Sequence, residues 1–380
     1  MSSAHPLPRR AVAGFTLIEL MVGMAVGLLA TLVIAQVLST AEGFKRSATS
    51  GSDAQINGGL SIYAIQRQLK MAGYGLVTEG AAQGCTLSSA YGTATMPPTL
   101  APVIITAGAN GASDSLRILA SSKPGFSLPT KLISSFYDPN DVVGDKASNI
   151  AVVSALGVDV GDLMALVYAK DGACQVFQVS SLPPEGRKIG RETAGNWNTS
   201  RFPDAAAGEG AFLVNLGTFS DISFTLTADR RLRQTTFNHL QQTGGSQDLQ
   251  SNIVAMKALY GKDTNNDDVV DTYDTVTPTN NAGWLQVRAV RVAVLARSAQ
   301  YEKEEVTAAM PQWDVGSVGS IAGATACGDS KCIALRADLA ADDWKHYRYK
   351  VFDTLVPLRN QVWRSDFSRA AAPTPPAGGN

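Results

Sequence analysis

The chain is poor in histidine. It has three in 380 residues, His5, His239 and His346, and that scarcity removes most imidazole chemistry. A Ser-His-Asp arrangement would have to use His239 or His346. His346 lies in Trp-Lys-His-Tyr-Arg-Tyr, where a surface or hydrogen-bonded role fits better. There is no G-x-S-x-G, no glycine-rich phosphate loop and no C-x-x-C. Charge is also scarce, at 17% Asp, Glu, Lys and Arg with a net charge of −1. No basic patch or aromatic-basic interleaving is visible, so nucleic-acid binding is not expected. A catalytic reading therefore has little to stand on.

What the chain does have is glycine, 35 residues, and four cysteines. Cys85, Cys174, Cys327 and Cys332 all follow a long apolar run. An even count outside the cytoplasm reads as two disulfides. Of three pairings, the turn-like Cys327-Gly-Asp-Ser-Lys-Cys332 favours local closure, which leaves Cys85 with Cys174. A metal site is disfavoured by the absent C-x-x-C and the few histidines.

From Phe15 to Ala41 the only charged residue is Glu19. About 20 apolar helical residues span a bilayer, and this run is long enough. A secretory signal carries its cleavage site after the apolar region. Here a basic leader with Arg9 and Arg10 ends at Gly14, before the run, so the helix would survive processing. Glu19 would then sit one helical turn from a new amino group at Phe15. An ammonium and a carboxylate at that spacing can pair within a subunit or between neighbours, and neighbour pairing would set the stagger of packed helices. Gly23 and Gly27 form a G-x-x-x-G spacing that permits close helix approach. Lys45 and Arg46 beyond the run offset the leader's charge, so the positive-inside rule gives a weak vote for a cytoplasmic leader.

Beyond the membrane-length run, Ile62, Ile65, Leu69 and Ala72 recur at helical spacing and predict a helix that ends at Gly73-Tyr74-Gly75. Gly51, Gly58 and Gly59 weaken it, and a break is expected between about Glu42 and Asp53. The signals then turn to strands at 115–120, 163–168, 174–180, 211–216, 222–227, 285–297 and 347–358. Residues 231–237 can form a hairpin with 222–227 across Ala228-Asp229-Arg230. Segments 79–113, 121–149 and 183–210 read as loops. The expected plan is α+β: a long N-terminal helix, membrane-spanning in its first half, packed on an antiparallel β-sheet head with long loops. Its parts are a leader at 1–14, a transmembrane helix at 15–41, a helical continuation at 42–75, a β-rich head at 76–369 and a disordered Ala/Pro/Gly tail at 370–380.

One acidic loop invites a metal. Asp263, Asn265, Asp267 and Asp271 stand at positions 1, 3, 5 and 9, with the Val269 carbonyl at position 7, the order of a calcium loop. Asp274 falls at position 12, and Asp268 replaces the usual glycine at position 6. The segment is a candidate Ca²⁺ loop, with a solvated acidic turn as the rival reading; no cofactor is required.

Gly14-Phe15-Thr16-Leu17-Ile18-Glu19 resembles the signature of the type IV pilin superfamily. The resemblance implies cleavage between Gly14 and Phe15 by an inner-membrane prepilin peptidase, methylation of Phe15, and a role for Glu19 in assembly. Residues 255–271, 284–298, Trp344-Lys345-His346-Tyr347-Arg348-Tyr349 and Pro357-Leu358-Arg359-Asn360 are similar to PilW-type minor pilins. That family implies a non-enzymatic subunit that primes type IV pilus assembly near the tip. Its partners would be the inner-membrane assembly platform, other minor pilins, the major pilin and a tip adhesin. It implies a single-pass inner-membrane protein with a periplasmic head, carried into the extracellular pilus on assembly. A minor pseudopilin of type II secretion shares the same N-terminus. A surface- or DNA-binding adhesin is a third reading. Residues 79–250 match no motif.

Overall fold

The computed structural model describes residues 14–123, 128–133, 149–168, 172–184, 186–192, 196–198, 210–340 and 342–361. Residues 1–13 of the expected leader, residues 362–369 of the expected head and the expected tail at 370–380 lie outside them. The chain divides into two compact units, Met1–Ser52 and Asp53–Asn380.

Helix α1 runs Leu17–Leu69. It does not break between Glu42 and Asp53, contrary to the expectation from its glycines. A helical glycine costs about 1 kcal/mol relative to alanine, whereas proline, which removes an N–H and clashes with the preceding turn, costs about 3 kcal/mol, and no proline occurs between Phe15 and Leu69. Leu17–Gly43 has a mean hydropathy of 2.4 and no buried residues, so it is long and apolar enough to cross a membrane. In the second unit the helix buries Ala54, Gly58, Ser61, Ile65 and Leu69, one stripe at spacings of three and four. Leu69 is followed by tight turns, and Gly73, at φ +73°, redirects the chain by donating its N–H to the Leu119 carbonyl.

The head is rich in antiparallel sheets, with parallel pairs only at short strands among the described residues. Its central sheet orders Ser320–Ile321, Thr272–Asp274, Ile253–Lys262, Val287–Arg297 and Tyr349–Pro357. Val287–Arg297 is buried along almost its whole length because both faces of this sheet are covered. Met256, Ala258, Tyr260, Val290, Val292 and Val294 share one core with Ile65 and Leu69 of α1. Leu259, Ala293 and Leu295 point the other way, into a core with Trp313 and Leu335. Expected residues Leu285 and Gln286 belong instead to a short helix, α2 (Asn281–Gln286), whose first turn Asn280 caps by accepting from Gly283 N–H.

A second sheet orders Thr243–Ser251, Arg231–Asn238, Ser220–Leu226, Ser115–Ala120 and Val103–Thr106. It contains the hairpin expected across 228–230, with Arg230 at φ +59° in the turn. A third orders Thr86–Ser89, Ala173–Gln178, Leu163–Val167, Phe212–Gly217 and Thr130–Lys131. Segments read as loops therefore hold short strands at Thr86–Ser89, Val103–Thr106, Thr130–Lys131 and Lys188–Gly190. These are two to four residues long, too short for alternation to stand out among turn residues.

A buried ionic group ties the second sheet to the loop at Thr95. Asp221, 3% exposed, accepts from Arg117 Nε at 2.9 Å, and its Oδ2 lies 2.8 Å from His239 Nε2. The other His239 nitrogen lies 3.1 Å from the Thr95 carbonyl. Burial works to raise the Asp221 carboxyl, but hydrogen bonds to His239 and Arg117 outweigh it and hold it below the usual carboxylate range. The resulting stabilisation is present above the unfolded carboxylate pKa, about 4, and is lost as pH falls through the lower folded value.

Gly58 carries a packing prediction. A Cβ there would overlap the Phe352 ring, whereas one at Gly59 meets nothing. Gly59→Ala should therefore stabilise by about 0.5–1 kcal/mol through helix propensity. Gly58→Ala should destabilise by about 1–3 kcal/mol through overpacking. Denaturant unfolding of the two variants checks the opposite signs; a gain in both would show that the ring does not pack on the helix there.

Candidate functional site

Two places on the chain concentrate candidate functional residues. The first is the start of α1. Gly14 and Phe15 precede the helix, Phe15 is 88% exposed, and Leu17–Leu38 presents apolar side chains except at Glu19, Thr31 and Gln36. Thr16 and Glu19 form a reciprocal cap. Thr16 N–H donates to Glu19 Oε2 at 3.0 Å, and Thr16 Oγ1 donates to the same oxygen at 2.9 Å. Glu19 N–H donates back to Thr16 Oγ1 at 3.3 Å. This is the Thr-x-x-Glu capping box, which satisfies orphan donors at a helix start. It gives the one carboxylate in the apolar run donors within its own chain. The Thr-x-x-Glu pattern, three residues apart, is the sequence signal for it.

The second place is the acidic loop after Ile253–Lys262. The structure does bring its carboxylates into a network, but one closed by protein groups. Asp263 is fully buried; it accepts from Asp267 N–H at 3.1 Å and Asp268 N–H at 3.0 Å, and pairs with Arg288 at 3.1 Å. Asp268 sits at φ +67° and pairs with the same guanidinium at 3.2 Å. Hydrogen bonds from Thr272 and Thr264 hold the Asp271 carboxyl below its usual range. Asp267 accepts from Val269 N–H, and Asp274 pairs with Lys262. Among the described residues no three His, Cys, Asp or Glu side chains are gathered so as to hold a metal ion. In this arrangement a guanidinium already neutralises the position-1 carboxylate. Arg288, 25 residues from Asp263, gave no sign of this role in sequence.

The cysteines form Cys85–Cys174 and Cys327–Cys332. The first pins the start of Thr86–Ser89 to Ala173–Gln178, a parallel pair whose partners are 87 residues apart in sequence at Leu87 and Cys174. The second closes the hairpin between Thr325–Cys327 and Ser330–Ala334. His346 Nδ1 lies 2.8 Å from the Glu302 carbonyl and its ring stacks on Tyr301; His239 is taken up by Asp221 and Thr95.

Two predictions follow from these geometries. Thr16→Val removes the hydroxyl cap and should cost the helix start about 1 kcal/mol, while Thr16→Ser should keep it. Amide exchange at residues 16–20 in detergent reads the difference; equal protection in both variants would contradict the cap. Arg288→Met leaves Asp263 buried without its counter-charge and should cost about 3–5 kcal/mol. Millimolar Ca²⁺ should leave the melting temperature of the wild type unchanged, because Arg288 holds the site. A loss under about 1 kcal/mol in Arg288→Met, or a clear rise of the wild type with Ca²⁺, would contradict this reading.

Comparison with known families places both ends of the chain. Residues 222–360 match the family described as Type IV Pilus-assembly protein W, PilW. Residues 9–35 match the prokaryotic N-terminal methylation motif. No curated protein and no solved structure gives a significant match. The first match covers the central sheet and the acidic loop, and the second covers Gly14, Phe15, Thr16 and Glu19 with most of the apolar run. The two matches support a type IV pilin-like, PilW-type protein.

Proposed function

We propose that this chain is a minor pilin that primes type IV pilus assembly and resides near the filament tip. The observation that carries the reading is a single carboxylate, Glu19, in the first turn of an apolar helix that is long enough to span a membrane. The two family matches support a minor-pilin role, a single-pass membrane anchor and a structural rather than enzymatic part. Priming, tip position and the identity of neighbouring subunits are the finer part of the proposal.

The mechanism follows from charge in an apolar medium. The precursor would lie in the inner membrane with its head in the periplasm. Prepilin peptidase would cut after Gly14 and methylate Phe15. Glu19 would be tolerated in the membrane because Thr16 supplies two donors in cis. On entry into the filament, the ammonium of a neighbour's first residue would offer Glu19 a full counter-charge, which two neutral donors do not. That exchange fixes axial register, since only one stagger brings the two groups together. The assembly platform, other minor pilins, the major pilin and a tip adhesin are the proposed partners. A type II secretion pseudopilin would use the same N-terminus, and the PilW match over 222–360 favours the pilus.

Glu19→Val raises apolar content, so insertion and cleavage should persist. Co-assembly with purified partner pilins in vitro should fall at least tenfold, since an unpaired buried charge is left on the neighbour. Normal incorporation of Glu19→Val would contradict the proposed docking.

A further inference from the structure

Among the described residues, the cations on the two inner strands of the central sheet, Ile253–Lys262 and Val287–Arg297, are paired with one exception. Lys257 pairs with Asp114, Lys262 with Asp274, Arg288 with Asp263 and Arg291 with Asp353. Arg297, the last residue of Val287–Arg297, is only 6% exposed. Its Nε has no hydrogen-bond partner, and no carboxylate lies within ion-pairing distance among the described residues. What it has is an aromatic face: its guanidinium carbon lies 3.9 Å from the centre of the Tyr347 ring. The sheet register explains the contact. Arg297 is directly opposite Tyr349, so Tyr347 is its diagonal neighbour on the same face.

The surroundings are held in place. Glu302 N–H donates to the His346 carbonyl, Val306 and Thr307 N–H donate to the Lys345 carbonyl, and Arg348 forms a forked pair with Glu302. This strap carries Tyr301, 47% exposed, whose ring meets Tyr347 edge-on at 5.8 Å. Tyr349 donates to the Trp344 carbonyl, and burial pushes its hydroxyl up to about 12, so it stays neutral. Arg230 and Asp343 act on Tyr349 electrostatically, and Asp343 makes no ion pair with Arg297. Arg230 donates to the Ala340 carbonyl.

The enclosed Nε leaves the terminal Nη edge of the guanidinium, and such an edge on a ring-stacked guanidinium is arranged to take a planar anion. A buried cation without a counter-charge is unfavourable for the isolated chain, and replacing such groups by apolar ones is often neutral or stabilising. We propose that Arg297 anchors a carboxylate-binding notch on the head, and that its occupant is an aspartate or glutamate side chain of a neighbouring filament subunit. The carboxylate takes the guanidinium edge while Tyr347 covers its face and Tyr301 forms the rim. The notch stands on this chain's geometry alone; the identity of its occupant rests on the filament reading.

The test has two arms on the full-length protein. In detergent, Arg297→Met should melt at the same temperature as wild type or higher. Replacing chloride by about 100 mM acetate at constant ionic strength should raise the wild-type melting temperature by about 1–3 °C and leave Arg297→Met unmoved. Arg297→Lys, which keeps charge but loses the planar stack, should respond weakly. A drop of several degrees in Arg297→Met, or an equal acetate shift in both, would overturn the notch. In filament-forming cells, a photo-crosslinking residue at Tyr301 should capture an acidic segment of another subunit, and Arg297→Met should abolish the product. No product, a product lacking Asp and Glu, or one unaffected by Arg297→Met would overturn the occupant. Since the first arm needs no filament, failure of the pilus reading alone would leave the acetate response intact.

Discussion

One carboxylate in an apolar helix is the constraint on which the account depends. Glu19 is the sole charge between Phe15 and Ala41, and placing such a group in a bilayer costs roughly 2.5–3.5 kcal/mol on insertion scales. The chain offsets part of that cost locally, because Thr16 donates through both its N–H and its hydroxyl. A capping box has a further consequence here. It starts the helix at Leu17, leaving Phe15 outside the helix. The same carboxylate thus has one set of donors in the lone subunit and, in the proposed filament, a stronger one from a neighbour.

The head applies the opposite solution to charge. Its central sheet is covered on both faces along Ile253–Lys262 and Val287–Arg297, so charged residues on those two strands are buried or half-buried and are mostly neutralised within the chain. Asp263 with Arg288, Asp114 with Lys257, and Asp274 with Lys262 do this. Against that pattern, Arg297 stands out as a buried cation stacked on Tyr347 without a carboxylate. Gly58 performs a different service: it admits the Phe352 ring against α1, so the sheet's edge strand and the helix share one core.

Much of this was legible in the sequence where the signal was long. The apolar run, the stripe Ile65, Leu69 and Ala72, the strand ending at Arg297 and the hairpin around Arg230 all span enough residues for periodicity to show. The helix through Glu42–Asp53 departs from the expected break because glycine is a weak helix former and not a breaker. The strands inside segments read as loops were hidden by their brevity. The acidic loop was legible as a run of oxygen donors, but its neutralising partner, Arg288, comes from the next long strand. Ligand spacing along a chain reports donor type and order. It carries no information about a cation that folding brings in from elsewhere. Arg297 was invisible for the related reason that an absent partner leaves no mark in sequence.

The central claim is that the boundary at Gly14 frees an N-terminus one helical turn before Glu19. Intact mass and N-terminal fragmentation of the protein extracted from membranes of its native host test it most directly. The account predicts a chain that begins at Phe15, carries one added methyl group on its amino nitrogen and retains the whole of Leu17–Gly43. A mature protein still bearing residues 1–14, or one cut beyond the apolar run, would contradict it.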